Sequence, residues 1–161
     1  MEINIRLMNE SDLDILAEVY CEAYRVFDVG ERWEKDSARD LLAYWFKHQP
    51  DLAFVAEDDS KVIGAFIAGI KPWWNGNHLV DGEIFVHPDY QARGAGSRLL
   101  KVMFETAIEK YDADVWEALT FADHEFPLRW YKSLGFEPVK DLVLFSGDMK
   151  KALVRLSKKG F

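Results

Sequence analysis

The sequence predicts a single α/β (α+β) domain over residues 1–161, with a mostly antiparallel central sheet of about seven strands and helices on both faces. Three observations carry this. Apolar runs and stretches with helical periodicity follow each other in the order β-α-α-β-β-β-α-β-α-β-β. One run, Val62 to Ile70, is almost wholly apolar, as expected of a central strand covered on both faces. The stretch Val80 to Tyr111 reads as one unit: a strand, a stop at Pro88, a glycine-rich turn and a long helix.

In chain order, Ile3 to Leu7 alternates and reads as a short strand. Ser11 with Asp14 resembles a capping box, opening a helix whose stripe is Leu13, Leu16, Tyr20 and Tyr24. Phe27 to Lys35 reads as a loop. Ser37 with Asp40 starts a second helix, which Pro50 closes off. Strands follow at Leu52–Glu57 and Val62–Ile70. Lys71 to Asn77 is a turn-rich link into the Leu79–Val86 strand. The long helix places Leu100, Met103, Phe104, Ala107, Ile108 and Tyr111 on one face, and Val115 to Phe121 is the next strand. Pro127 suits the first turn of a short helix, and Gly135 suits the position just past its end. Phe136–Phe145 and Ala152–Leu156 are expected to form a hairpin through Ser146-Gly147-Asp148.

Composition excludes several classes. With 49% hydrophobic and 30% charged residues, the chain is globular and not disordered. The net charge is −8, although the last twelve residues hold five basic side chains and no acidic one. So acidic a surface repels nucleic acid and favours cationic partners. The one cysteine, Cys21, excludes an internal disulfide framework and suits a reducing, cytoplasmic setting. The opening MEINIRLMNESD lacks a signal-peptide pattern, and no apolar run reaches membrane-spanning length. The four histidines show no metal-ligand spacing, so no metal is expected.

The turn Gln91-Ala92-Arg93-Gly94-Ala95-Gly96 enters a helix N-terminus. Glycines let the backbone curl with N–H groups outward, and the helix end adds orphan donors, which makes a site for phosphate or pyrophosphate. It is not a P-loop, since no Gly-Lys-Ser/Thr follows Gly96, and the βαβ repeat of a dinucleotide fold is missing.

This loop, after Val86-His87-Pro88, resembles the Gln/Arg-x-x-Gly-x-Gly/Ala signature of the GNAT superfamily of acyl-CoA N-acyltransferases. Trp130-Tyr131-Lys132-Ser133-Leu134-Gly135-Phe136 resembles that family's Phe-Tyr-x-x-Leu-Gly-Phe signature. Both stand in the right order, and the resemblance covers essentially the whole chain. The chain departs from the family pattern at His124 and Pro127, where Asn and Ala are frequent.

The resemblance implies direct transfer of an acetyl group from acetyl-CoA to an amine. The backbone of Ala92, Arg93, Gly94, Ala95, Gly96 and Ser97, with Gln91 before it, would bind the pyrophosphate. Arg93 would add charge. The strand Ile84-Phe85-Val86 would splay from its neighbour and offer amides to the pantetheine arm and the thioester oxygen. Tyr131 would be the acid: a phenol of pKa about 10 can protonate a thiolate, whose thiol has a pKa of about 8.5, and stay neutral itself. It lies one step off the stripe of Phe126, Trp130 and Leu134, which reads as core. Glu83 is the chosen base for the ammonium, with Asp81 as second choice because a regular strand would put both on one face.

Trp33, Trp73 and Trp74 fall in loops that would border the acceptor site, as walls of a cation–π pocket or equally as core or homodimer packing. Cys21, on a helix flank, reads as a buried thiol with no catalytic part. The acidic surface favours a small-molecule cationic amine as acceptor. The alternatives are a protein lysine or N-terminal acetyltransferase, and a non-catalytic acyl-CoA-binding module.

Overall fold

The computed structural model describes residues 2–158, with the side chain of Asp81 outside the description. The chain forms two compact units, Met1–Phe121 and Ala122–Phe161.

In the first unit β1 (Ile3–Leu7), β2 (Ala53–Asp58), β3 (Lys61–Trp73), β4 (Gly76–Val86) and β5 (Ala113–Glu117) lie side by side in chain order. Neighbours are antiparallel except β4 and β5, which are parallel. A parallel pair needs a crossover, and α3 (Ala95–Tyr111) supplies it. Among the described residues the sheet has five strands, not the expected seven.

Helices cover both faces, as expected. On one face α1 (Leu13–Phe27) and α2 (Lys35–His48) share a core with Val55, Ala65, Ile67 and Phe85. Their residues are buried because a stripe at helical spacing (Leu13, Leu16, Ala17, Tyr20) meets the inward row of each strand. On the other face, Phe104 of α3 packs on Trp116 of β5, which meets Phe66 of β3. The buried stripe of α3 is Ala95, Leu99, Leu100, Met103 and Ala107; Ile108, expected on it, is 55% exposed.

The helix starts differ from expectation. A capping box forms on the 3-10 turn Glu10–Asp12 just before the first helix, where the Asp12 carboxylate accepts from the Asn9 N–H at 2.8 Å, and not between Ser11 and Asp14. The second helix begins at Lys35, ahead of Ser37, because the Ser37 hydroxyl donates back to the Glu34 carbonyl at 2.9 Å. The Lys71–Asn77 link is mostly strand: Trp73 pairs with Gly76, leaving Trp74 and Asn75 as the turn. The β5 strand ends at Glu117, short of Phe121.

In the second unit α4 (Glu125–Ser133) ends as the sequence predicts. Gly135 takes a φ of +91°, the Phe136 N–H donates to the Tyr131 carbonyl at 3.1 Å, and the Gly135 N–H donates to that of Lys132 at 3.0 Å. This Schellman pattern explains the Leu-Gly-Phe part of the signature, since only glycine reaches that φ cheaply. The stripe is less buried than expected, with Phe126 59% and Leu134 48% exposed.

The expected C-terminal hairpin is not there. Phe136–Phe145 takes no strand, and Ala152–Leu156 lies within a helix, α5 (Met149–Ser157). Asp148, read as a turn residue, caps that helix by accepting from the N–H groups of Lys150 (2.9 Å) and Lys151 (3.2 Å). Met149, Ala152, Leu153 and Leu156 then recur at three- and four-residue steps, a helical period that outweighs the short apolar run.

One ion cluster ties the first strands to α1. Arg6 of β1 donates to both oxygens of the largely buried Asp12 (2.7 and 2.9 Å) and to Glu57 of β2 at 2.8 Å. The Arg6 hydrogen bond, opposed by burial, holds the Asp12 carboxyl below its ordinary value. A depressed folded-state value stabilises fully above the unfolded pKa of about 4, and the contribution is lost as pH falls through the depressed value. Asp12→Asn is expected to cost about 2 kcal/mol at neutral pH. In urea unfolding, the difference from the parent should shrink below pH 4.

Candidate active site

The site begins with a bulge in β4. Ile67 pairs with Glu83 and Gly69 with Val80, so Asp81 and Gly82 together face the one residue Ala68. Antiparallel partners share a face, so Val80 and Glu83, three apart, point the same way; a regular strand would oppose them. Gly82 makes this possible: its φ is +80°, and a Cβ there would lie 1.7 Å from the Ile67 carbonyl oxygen. The regular-strand premise that put Asp81 beside Glu83 therefore fails. Its side chain lies outside the described residues.

Past the bulge, Glu83 and Phe85 face the α1–α2 layer. The Tyr20 hydroxyl of α1 donates to Glu83 Oε2 at 3.0 Å. Around this contact the rings form a chain. Tyr20 stacks on Tyr24 at 4.5 Å and meets Trp33 and Phe85 edge-on at 5.3 and 5.0 Å. Tyr24 touches Phe27, which meets Phe121 at 5.8 Å. The Trp33 indole N–H donates to Glu31 at 2.8 Å. Burial, then the Glu83 charge, raises the Tyr20 phenol far above its ordinary value. The same causes push Tyr24 up to about 12, with Glu31 contributing. Both phenols therefore stay protonated at neutral pH.

The backbone of β4 beyond the bulge has two sides. The His87 N–H donates to the Ile63 carbonyl of β3 at 2.8 Å. By strand alternation the amide of Phe85 also faces β3, and those of Ile84 and Val86 face away from it. β5 does not meet them, since it pairs only with Asn77–Val80. The strands part there, as the resemblance implied. The Val86 carbonyl, on the outward side, accepts from the Gln91 side chain at 2.9 Å, which ties the strand to the loop.

The loop then enters α3. Gly94 caps it with a φ of +87°, and Ala92 also lies in the left-handed region. Ala95, Gly96 and Ser97 form the first turn of α3, where N–H groups have no intrahelical acceptor. No acidic residue stands in that turn. The Arg93 guanidinium and the Lys61 ammonium lie 5.5 and 5.0 Å from the ring centre of Tyr90 beside it. Amides without acceptors and two cations suit a pyrophosphate. Of the two glycines, only Gly94 takes a positive φ; Gly96 is helical, in the first turn of α3.

Tyr131 lies on α4 of the second unit, half-buried, its ring 5.4 Å from that of Trp130. His124 is the residue before α4. Cys21 is half-buried, not buried; burial and the nearby Glu34 push its thiol up, away from a reactive thiolate. The loop tryptophans divide. Trp33 joins the rings around Tyr20, whereas Trp73 lies under Lys71 at the β3–β4 hairpin tip and Trp74 is 88% exposed.

Tyr20 and Tyr24 were missed as site residues, although both were placed on the helix stripe. The signal was there: a phenol on a core stripe needs a partner for its hydroxyl.

Comparison with known proteins agrees with this geometry. The family model for the acetyltransferase (GNAT) family matches residues 13–136. An uncharacterised N-acetyltransferase of Methanocaldococcus jannaschii is 33% identical over 137 residues, 83% of this chain and 60% of that protein. The chain thus spans less than two thirds of that relative's length. The L-amino acid N-acyltransferase MnaT of Escherichia coli is 27% identical over 139 residues, 83% of this chain and 79% of the relative. Among solved structures, the aminoglycoside N-acetyltransferase AAC(6')-Iy in complex with CoA has a TM-score of 0.69 at 20% identity. The match covers 91% of this chain and 95% of that one, and the likeness is one of fold.

Gly82→Ala is expected to destabilise the protein by on the order of 3 kcal/mol, because the bulge must rearrange to clear the Ile67 carbonyl. A denaturant midpoint measures this. Activity should fall further than stability explains, since the bulge aims Glu83.

Proposed function

The chain belongs to the acetyltransferase (GNAT) family, and from that premise we propose that it transfers an acetyl group directly from acetyl-CoA to the primary amine of a small cationic molecule. The observation that carries the acceptor class is Glu83 set at one end of the ring chain of Tyr20, Tyr24, Phe27 and Trp33. A carboxylate attracts an ammonium, and aromatic faces receive a cation, so the two together favour a charged amine over a neutral one.

The residues divide the work. The amides of Ala95, Gly96 and Ser97, with Arg93 and Lys61 alongside, hold the pyrophosphate. The outward amides of Ile84 and Val86 receive the pantetheine arm and the thioester oxygen. A donor aimed at developing oxyanion charge contributes about 3 kcal/mol. Acetyl-CoA supplies the activated acyl group. Glu83 takes a proton from the ammonium, directly or through water, and the amine lone pair attacks the carbonyl carbon. The C–S bond breaks, Tyr131 gives its proton to the thiolate, and the second proton that the attacking nitrogen sheds as the amide forms passes through water to the Tyr131 phenolate. The signature around Tyr131 and its place on α4 support this role.

Residues 1–161 are read as one N-acetyltransferase domain, because the family match from 13 to 136 runs across the boundary between the two units. No helix among the described residues is long and apolar enough to cross a membrane, and with Cys21 unpaired we place the reaction in the cytoplasm. A second reading, an L-amino acid acceptor, draws on the name of the E. coli relative.

A thiol-release assay with acetyl-CoA over spermidine, aminoglycosides, L-amino acids and lysine peptides decides the acceptor. Polyamines or aminoglycosides should give the highest kcat/KM, and a preference for amino acids or peptides would move the assignment to those classes. Tyr131→Phe should lower kcat by about 100-fold while leaving acetyl-CoA affinity, by calorimetry, within about twofold. Equal turnover would remove Tyr131 from the acid role.

A further inference from the structure

We propose that Tyr20 is a positioning residue for the transfer: its phenol holds the Glu83 carboxylate in the orientation from which it takes the proton of the acceptor. The inference rests on the reading of Glu83 as the base.

The contact is built from distant parts. Tyr20 sits in the middle of α1 and Glu83 just past the β4 bulge, 63 residues apart, and they meet at 3.0 Å. Tyr20 is 1% exposed, and its ring has three aromatic neighbours, Tyr24, Trp33 and Phe85. The donor is therefore fixed before any substrate arrives. Glutamate has three side-chain torsions, and in solution its carboxylate samples many orientations. One immobile donor on Oε2 removes most of them. Orientation prepared in this way lowers the barrier of the proton-transfer step without acting on the acyl group.

Packing alone does not account for the hydroxyl. Phenylalanine would fill the same space between α1 and β4, and a buried phenol brings a desolvation cost unless it is bonded. The phenol donates to the Glu83 carboxylate, which the Gly82 bulge turns toward α1. Its raised pKa keeps it a donor throughout the working pH range.

The charged and titratable groups near Glu83 include Tyr20 and Tyr24 on α1 and, on the loop beyond, Glu31, which acts on Tyr24. On β5, Glu117 pairs with Val80 and is held by Lys71 and His78. Asp81 stands on β4 itself. Tyr20 is a neutral donor to the Glu83 carboxylate, and a donor that favours the carboxylate form lowers the pH at which it protonates.

The test is thiol release from acetyl-CoA against pH with spermidine as acceptor, or with water alone where spermidine adds no rate. Tyr20→Phe should move the acidic limb of kcat/KM up by about 1 pH unit and lower kcat about tenfold, with KM for acetyl-CoA unchanged. Site-specific 3,5-difluorotyrosine at position 20, a stronger donor in the same ring, should fold like the parent and move the limb down. Glu83→Gln separates the two claims. If it abolishes the limb while both changes at position 20 leave it in place, Tyr20 is only a packing residue and the base reading stands. If Glu83→Gln leaves the limb where it was, the base reading falls and the positioning role falls with it.

Discussion

One extra residue in β4 sets the geometry on which the site depends. Without the bulge at Asp81–Gly82, side-chain alternation would turn Glu83 to the α3 face, where Phe66, Phe104 and Trp116 pack. Tyr20 would then present its hydroxyl to an apolar layer. The bulge lies where β5 pairing ends, at Val80, so the strand turns its carboxylate to one layer just as its outward amides lose their neighbour. Glycine is required there for two independent reasons, the positive φ and the Ile67 carbonyl in the place of a Cβ.

The proposed transfer would need opposite surroundings for its two partners, and the first unit holds both kinds apart. The entrance to α3 offers unpaired amides, Arg93 and Lys61, with no acidic side chain in its first turn. The α1 side of β4 offers Glu83, with Glu31 at the far side of the rings. An anion is held by dipoles and cations, an ammonium by carboxylate and ring faces. A net charge of −8 over the chain would favour a cationic partner, while a helix end acts on an anion through short-range dipoles that net charge hardly changes.

How far each element was legible follows from how local its cause is. Pro88, Gly94 and the α3 period act within a few residues, and the strand–turn–helix emerged as read. So did the end of α4 at Gly135. The C-terminal stretch differs because Ala152–Leu156 is short and mostly apolar, which suits a strand or a helix; Asp148 with its two backbone contacts settles it as helix. Phe136–Phe145 has β-forming residues yet takes no strand, and strand propensity alone does not make one.

The sequence by itself determined the two signatures, the glycine turn at a helix N-terminus and the helices on two faces, which depend on spacing along the chain, through glycine φ, helix ends and side-chain periodicity; the family resemblance carried by the signatures singled out Glu83 and Tyr131. Only the tertiary structure decided which way Glu83 points, that the strand before it is not regular, which amides of Ile84–Val86 face away from β3, and that Tyr20 meets the carboxylate. Each of those depends on the register between β3 and β4 or on a helix laid across the sheet. Register is set by the whole set of paired residues, so one unpaired residue, invisible in a list of strand formers, reverses the faces of everything beyond it.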